Sequence, residues 1–199
     1  MKNTLKLLTL SFLLIFASCV SSLNPLYTEQ DLIFDSALLG VWTDSDSKET
    51  WELTKAGEKV YKLVYTDEDG KKGEFTANLL KVDGKTFMDL TPAEPNLPQN
   101  DFYKEHFLPT HTFALVSQTA PTVQISFLEP EWLRKFLVKK PTALRHAKME
   151  DEILLTASPK ELQKFLLDHL NTEGAFAKPI SLKRKSEPSV GAGGFSRQK

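Results

Sequence analysis

The stretch KVYKLVYTDEDGKKGEFTANLLKVDGKTFMDL (residues 59–90) decides the fold class. Residues 59–66 place Tyr61, Leu63 and Tyr65 on one face. An apolar set with a period of two marks a strand with one buried side. Asp69-Gly70 then supplies a polar turn into a second strand over 74–82. Asp83-Gly84 is the two-residue signal of a tight hairpin, because both central positions of such a turn favour positive φ. A third strand over 85–90 follows.

The same rhythm continues on both sides. Strands are expected at 39–43 and 50–54, the second with Trp51 and Leu53 facing together. Downstream, 112–118 and 122–128 read as a hairpin around Ala120-Pro121. In its second arm Val123, Ile125 and Phe127 alternate with Thr122, Gln124 and Ser126. A last strand is expected at 152–156. Between the hairpins, residues 91–111 carry Pro92, Pro95, Pro98 and Pro109, which keep them out of regular ladders. That segment is too long for a plain connection and reads as a lid or a structured excursion.

Two helices interrupt the strands. Residues 130–139 begin at Pro130 and stop before Pro141, pairing Trp132 with Phe136 and Leu133 with Leu137 at i,i+4. Ser158-Pro159-Lys160-Glu161 forms a capping box for a helix running to residue 170. Its apolar stripe is Leu162, Phe165, Leu166 and Leu170, and Gly174 lies just past its end.

The amino terminus specifies an address. Lys2 and Lys6 precede a short apolar run at 7–16, too short to span a bilayer, so residues 1–18 read as an export signal. Phe16-Ala17-Ser18-Cys19 resembles the lipobox of bacterial lipoproteins, departing from it at Phe16, where an aliphatic residue is usual. The resemblance implies cleavage before Cys19, acylation of its sulfur and a membrane anchor. Val20 and Ser21, with no Asp after the cysteine, lean toward an outer membrane in a Gram-negative cell. The alternative is ordinary cleavage nearby and a freely soluble product. Residues 19–36 are then a lipidated tether and lead-in, 37–182 a single β-rich domain and 183–199 a disordered basic tail. That tail holds five basic residues against one acid.

Composition narrows the function classes. The chain is 41% hydrophobic and 26% charged, an ordinary globular balance. Without Lys2 and Lys6, 23 of the 25 basic residues remain against 26 acids, a net charge of −3. Such a balance argues against a nucleic-acid partner. Cys19 is the sole cysteine, so no disulfide forms within the chain.

Gly40-Val41-Trp42, on the first strand after Leu38 and Leu39, resembles the Gly-x-Trp opening of lipocalins and the wider calycin group. The resemblance spans the order of elements from 38 to 172. It implies an up-and-down antiparallel β-barrel of about eight strands, Trp42 closing one end and a C-terminal helix packed outside. The 130–139 helix would be an insertion. Two features depart from the pattern: there is no Thr-Asp-Tyr motif, and 152–156 holds no Arg to stack on Trp42, so Arg145 would have to serve. The alternative is another β-rich α+β fold.

Chemistry is sparse. His106 and His111, near Asp101, Tyr103 and Glu105, are weak candidates for a metal or proton-transfer site, and no H-E-x-x-H spacing supports them. No G-x-S-x-G elbow, P-loop or G-x-G-x-x-G occurs, and neither a cofactor nor a metal is expected. The expectation is a lipid-anchored envelope protein with a non-catalytic binding barrel for a lipid or other small apolar ligand. Tyr61, Tyr65, Phe75, Phe87, Phe113 and Phe127 would line its cavity or fill its core. An alternative is a solid-core assembly protein docking an envelope partner through Trp132 and Phe136. A hydrolase using His106 or His111 comes third.

Overall fold

The computed structural model describes residues 19–44, 47–94, 98, 100–119, 121–150 and 152–185. The expected export signal (1–18), the tail from 186, Pro95 and Ala120 lie outside the described residues. In chain order the elements are β1 (Ser21–Ser22), β2 (Leu32–Ile33), β3 (Gly40–Asp44), β4 (Thr50–Lys55), β5 (Val60–Thr66), β6 (Lys72–Val82), β7 (Lys85–Pro92), α1 (Asp101–Lys104), β8 (Thr112–Thr119), β9 (Thr122–Phe127), α2 (Pro130–Lys139), β10 (His146–Met149), β11 (Glu152–Leu155), α3 (Pro159–His169) and β12 (Ile180–Arg184).

Eight antiparallel strands close into a lipocalin-like barrel in the order β6-β5-β4-β3-β12-β9-β8-β7, with β7 pairing back onto β6. Each contributes inward side chains to one core, including Trp42, Trp51, Leu53, Tyr61, Leu63, Leu79, Met88, Ala114, Ile125 and Leu182. β4 shows the cause most plainly: Trp51 and Leu53 are buried, while Glu52 and Thr54 are exposed. The hairpin at Asp83-Gly84 has positive φ at both residues, as its turn type requires.

One strand overturns the expected order. Residues 152–156 do form a strand, but β11 belongs to a separate three-stranded sheet with β1 and β10. The eighth barrel strand is β12, which enters between β3 and β9. The chain therefore remains in the domain through Arg184 rather than leaving it at 183, and α3 precedes the last barrel strand. The basic composition around 183–185 masks this, since Leu182 alone of the last strand residues is fully buried.

Arg184 also replaces Arg145 as the partner of Trp42. Its guanidinium lies 4.5 Å from the Trp42 ring centre. Its two terminal nitrogens donate to the carbonyls of Leu39 and Ala37, each at 2.5 Å. Trp42 Nε1 donates to the Leu38 carbonyl at 2.8 Å. Gly40 has φ +122°, and a Cβ there would collide with Nη1 of Arg184. The glycine is thus favoured by its positive φ, and any Cβ there would push the tip of the guanidinium aside. Arg145 instead pairs with Glu161 at 2.6 Å. Hydrogen bonds from Arg145, then from Ser158, hold the Glu161 carboxyl down at about 2.

This end of the barrel is sealed. Phe34 stacks on Tyr61 with ring centres 4.7 Å apart. The Tyr61 hydroxyl donates to the Asp35 carbonyl and accepts from the Asp35 N–H. Leu38 is buried beside Trp42.

A second core covers the outside of β6, β7 and β8. Leu80, Phe87 and Phe113 point outward there and meet Leu133 and Leu137 of α2, Leu162, Phe165 and Leu166 of α3, and Val20 and Leu26. The run Phe87–Leu90 is accordingly buried on both faces, unlike β4. The lead-in expected as a tether is part of this layer. β1 pairs in parallel with β11, and β2 pairs with β6. Gln163 of α3 donates to the Leu26 carbonyl and to Asp31. Burial pushes the Asp31 carboxyl up, but hydrogen bonds from Thr28, Gln163 and Lys160 outweigh it and hold the group at about 2.

Two outcomes follow. Arg184→Ala should lower unfolding free energy in urea by about 1–2 kcal/mol, and Arg184→Lys should restore only part of that, because a lysine lacks the planar fork. Equal stability of the three proteins would contradict the role of Arg184. The depressed Asp31 value means that its stabilisation is complete above about pH 4 and drains away as pH falls toward 2. Asp31→Asn should remove roughly 1–2 kcal/mol of that acid-dependent stability, read from denaturant midpoints between pH 2 and 6.

Candidate functional site

The opposite end of the barrel is built differently. Here β5, β7 and β9 end and β6, β8 and β12 begin. Tyr65, Phe75, Phe127 and Ile180 pack against the barrel core from this end while remaining half-buried. Their positions follow from the inward alternation of the strands, which puts an apolar residue at each rim.

Trp51 packs beside them in the barrel core. It is directly opposite Trp42 on β3 and Tyr65 on β5. Its ring meets Tyr65 edge-on at 5.6 Å and lies tilted to Phe127 at 6.5 Å. The residue is only 5% exposed. Its Nε1 is buried without a hydrogen-bond partner, the one such side-chain atom among the described residues. A buried indole N–H ordinarily finds an acceptor. At the rim, the Tyr65 hydroxyl donates to Glu49 Oε1 at 2.6 Å. Burial first, and then the Glu49 hydrogen bond and charge, push the Tyr65 phenol upward, so it stays neutral across the physiological range. This end of the barrel therefore carries half-buried aromatic side chains, a buried indole N–H without a partner and a carboxylate.

The residues singled out in the sequence are dispersed. Cys19 is exposed, one residue before the buried Val20. Gly40 and Trp42 sit at the sealed end. His106 is exposed, with Nδ1 2.7 Å from the Phe102 carbonyl. His111 lies apart from it in function: its Nδ1 is 2.6 Å from Asp89 and 3.0 Å from Thr91 Oγ1. Among the described residues no group of three His, Cys, Asp or Glu side chains converges as a metal site. Trp132 and Phe136 stack at 5.1 Å and meet Phe165 and His169 of α3. Both are half-buried at the joint between the helices, so much of the expected docking patch is spent on internal packing.

Asp89 went unnoticed in the sequence. It is fully buried on the outer face of β7, where Oδ2 accepts the Leu26 N–H at 2.7 Å and Oδ1 meets His111. With the backbone pair between Ser22 and His111, it clips the segment after Cys19 onto the barrel wall. Its one signal is a carboxylate within the otherwise apolar run Phe87-Met88-Asp89-Leu90.

Exposed apolar side chains gather elsewhere. Phe102 and Leu108 are 73% and 74% exposed, and Tyr103 and Phe107 about half so. They flank a crevice of about 500 Å³ lined by Pro92, Ala93, Lys104, Phe107, Leu108 and Pro109. Between β7 and β8, residues Asp101–Lys104 form α1.

Comparisons with protein-family models, with curated proteins and with solved structures return no match.

Asp89→Ala should destabilise the protein by about 2–4 kcal/mol in chemical denaturation, since it strands the Leu26 N–H and His111 together. It should also raise amide exchange in residues 20–26. A change below 0.5 kcal/mol, within the usual range for surface substitutions, would contradict the clip.

Proposed function

We propose that this chain is a lipid-anchored protein of a bacterial envelope whose barrel is a non-catalytic binding module for a small apolar ligand. The observation that carries the reading is the asymmetry of the barrel. One end is sealed by Phe34, Leu38, Trp42 and Arg184. The other carries half-buried aromatic side chains packed against the core. Barrels of this strand number are either filled by side chains or hold one small molecule.

Support for the anchor comes from the sequence: a short apolar run at 7–16 and the Ala17-Ser18-Cys19 site behind it. Acyl chains contribute about 0.8 kcal/mol per buried CH₂, so two or more hold a protein durably on a membrane. Because Val20 and Ser22 are already buried in the fold, an acylated Cys19 would hold the domain against the bilayer without a flexible spacer. His111 Nδ1 lies 2.6 Å from Asp89, which also accepts the Leu26 N–H, so the pair serves to fasten the amino-terminal segment to the barrel.

A second reading, docking to another envelope component, is favoured by one observation. Phe102, Tyr103, Phe107 and Leu108 present a local apolar surface on and just after α1. Isolated exposed apolar residues are ordinary, but four within seven positions mark a contact surface.

The test is mass spectrometry of the protein extracted from its host membranes in mild detergent. The binding reading expects a denatured mass of acylated residues 19–199 and additional small-molecule mass retained only under native conditions. Cys19→Ser should move the protein out of the membrane fraction. An unacylated product beginning elsewhere contradicts the anchor. Acylated protein that carries no small molecule but loses a co-purifying protein upon Phe102→Ser with Leu108→Ser favours the docking reading instead.

A further inference from the structure

We infer that the outward face of the small sheet β1-β11-β10 is the surface on which the domain lies against a phospholipid bilayer, with Cys19, Leu23, Leu154 and Met149 as its contacts. The inference rests on the lipid-anchor reading above and names the face of the fold that meets the membrane.

Three observations carry it. First, Cys19 is on this face. In the stretch that leads through β1, side chains alternate between the two sides. Val20 and Ser22 point inward and are buried, so Cys19, Ser21 and Leu23 point the other way and stay exposed or half-exposed. A chain attached to the Cys19 sulfur therefore leaves the fold on the outward side. Second, that side is largely apolar across the sheet. The register places Ser21 beside Leu154, Leu154 beside Ala147, and Glu152 beside Met149. Among the described residues, Leu23, Leu154 and Met149 belong to neither hydrophobic core, whereas Val20, Ile153 and Leu155 from the inward side pack into the second one. Leu23 is 40% exposed and Met149 57%. Third, the sheet is fastened to the domain. Ser22 exchanges both backbone hydrogen bonds with His111, at 2.8 and 2.9 Å, and the Leu23 N–H donates to the Leu155 carbonyl. Asn24 Nδ2 donates to the carbonyls of Thr156 and Ala157. From Cys19 to the clamp at Ser22 is roughly 10 Å of extended chain.

A tether this short brings the bilayer to the side from which the acyl chains leave, and that side offers it apolar side chains. The contact is shallow, since apolar groups of a surface-bound segment reach about 5–10 Å into the boundary between headgroups and acyl chains. Glu150 and Glu152, at the turn end of the sheet, stay among the hydrated headgroups, because burying a carboxylate in hydrocarbon is costly. The exposed apolar residues on and after α1 are a separate surface, carried between β7 and β8 rather than on this sheet.

With the Cys19 sulfur blocked by its lipid, an introduced cysteine is the sole free thiol and takes a fluorophore at one place. Leu23→Cys, Met149→Cys, Leu108→Cys and Thr54→Cys are made in the full chain, the last at an exposed position of β4, across the barrel from β8. Each protein is isolated acylated from host membranes, labelled with a nitrobenzoxadiazole dye and reconstituted into vesicles of phosphatidylethanolamine and phosphatidylglycerol in equal amounts. A nitroxide carried on the lipid should take away most of the emission at 23 and 149 and leave 54 and 108 bright; dissolved iodide should do the reverse. Lipid quenching at 54 or 108, with 23 and 149 open to iodide, overturns the assignment. Protection of 23 and 149 from both quenchers reports a protein or a second copy on the sheet, and overturns it too. Failure of the anchor reads differently: the protein is then unacylated, and flotation with the same vesicles tests the face alone. Wild-type protein should float, and Leu23→Ser with Met149→Ser should weaken binding about tenfold without touching the core. Equal flotation of variant and wild type overturns the face, and unacylated wild-type protein that does not float overturns face and anchor together.

Discussion

A single guanidinium links the two ends of this chain. Arg184 covers the face of Trp42 and holds the carbonyls of Ala37 and Leu39, while its strand sits between β3 and β9. Without β12 the remaining seven barrel strands form an open sheet with two unpaired edges, β3 and β9. Open edges are templates for pairing with other chains, and closure abolishes them. The closing strand arrives only after α2, the small sheet and α3 have been traversed. The barrel therefore depends on contacts between residues near opposite ends of the domain, the kind that cost most in loop entropy and form slowly. Gly40 follows from the same requirement, since any Cβ there would occupy the space of the guanidinium.

The outer layer explains why the strands differ in appearance. β4 and β5 face solvent on one side and alternate; β6 and β7 carry helices and the amino-terminal segment over part of their outer face and hold runs buried on both faces, at 77–80 and 87–90. Within that second core, two carboxylates do specific positioning work. Asp89 gathers the Leu26 N–H and His111 on the barrel wall, and Asp31 gathers Thr28, Gln163 and Lys160 from α3. Both fasten the stretch that follows Cys19, so the amino terminus is a structural part of the domain.

How much was legible in the sequence depends on where each signal resides. Alternation in Tyr61-Leu63-Tyr65 and Val123-Ile125-Phe127, the Asp83-Gly84 turn and the Ser158–Glu161 capping box are local, and each lies where it was expected. The Gly40-x-Trp42 opening pointed correctly to a lipocalin-like barrel and its sealed end. β12 escaped because its residues look like the start of a polar tail: with only Leu182 fully buried, its strand character comes from pairing on both sides rather than from its own pattern. The tether over 19–36 was misjudged for a related reason. β1 and β2 are two residues each and are held by tertiary partners that no local pattern reveals. Trp51 was visible as an inward aromatic, but an unpaired N–H is a property of its surroundings. The partner of His111, Asp89, lies on another strand, so no local pattern reveals the pair.

The difference between the two ends has meaning only if the barrel closes as described, so amide hydrogen exchange across β12 is the decisive measurement. The account predicts that amides of residues 180–184 exchange as slowly as those of β3 and β9. It further predicts that Arg184→Ala accelerates 180–184 and 40–44 together while α3 stays protected. Rapid exchange of 180–184 in the wild-type protein, comparable to that of a chain end, would contradict closure and with it the asymmetric barrel on which the functional reading stands.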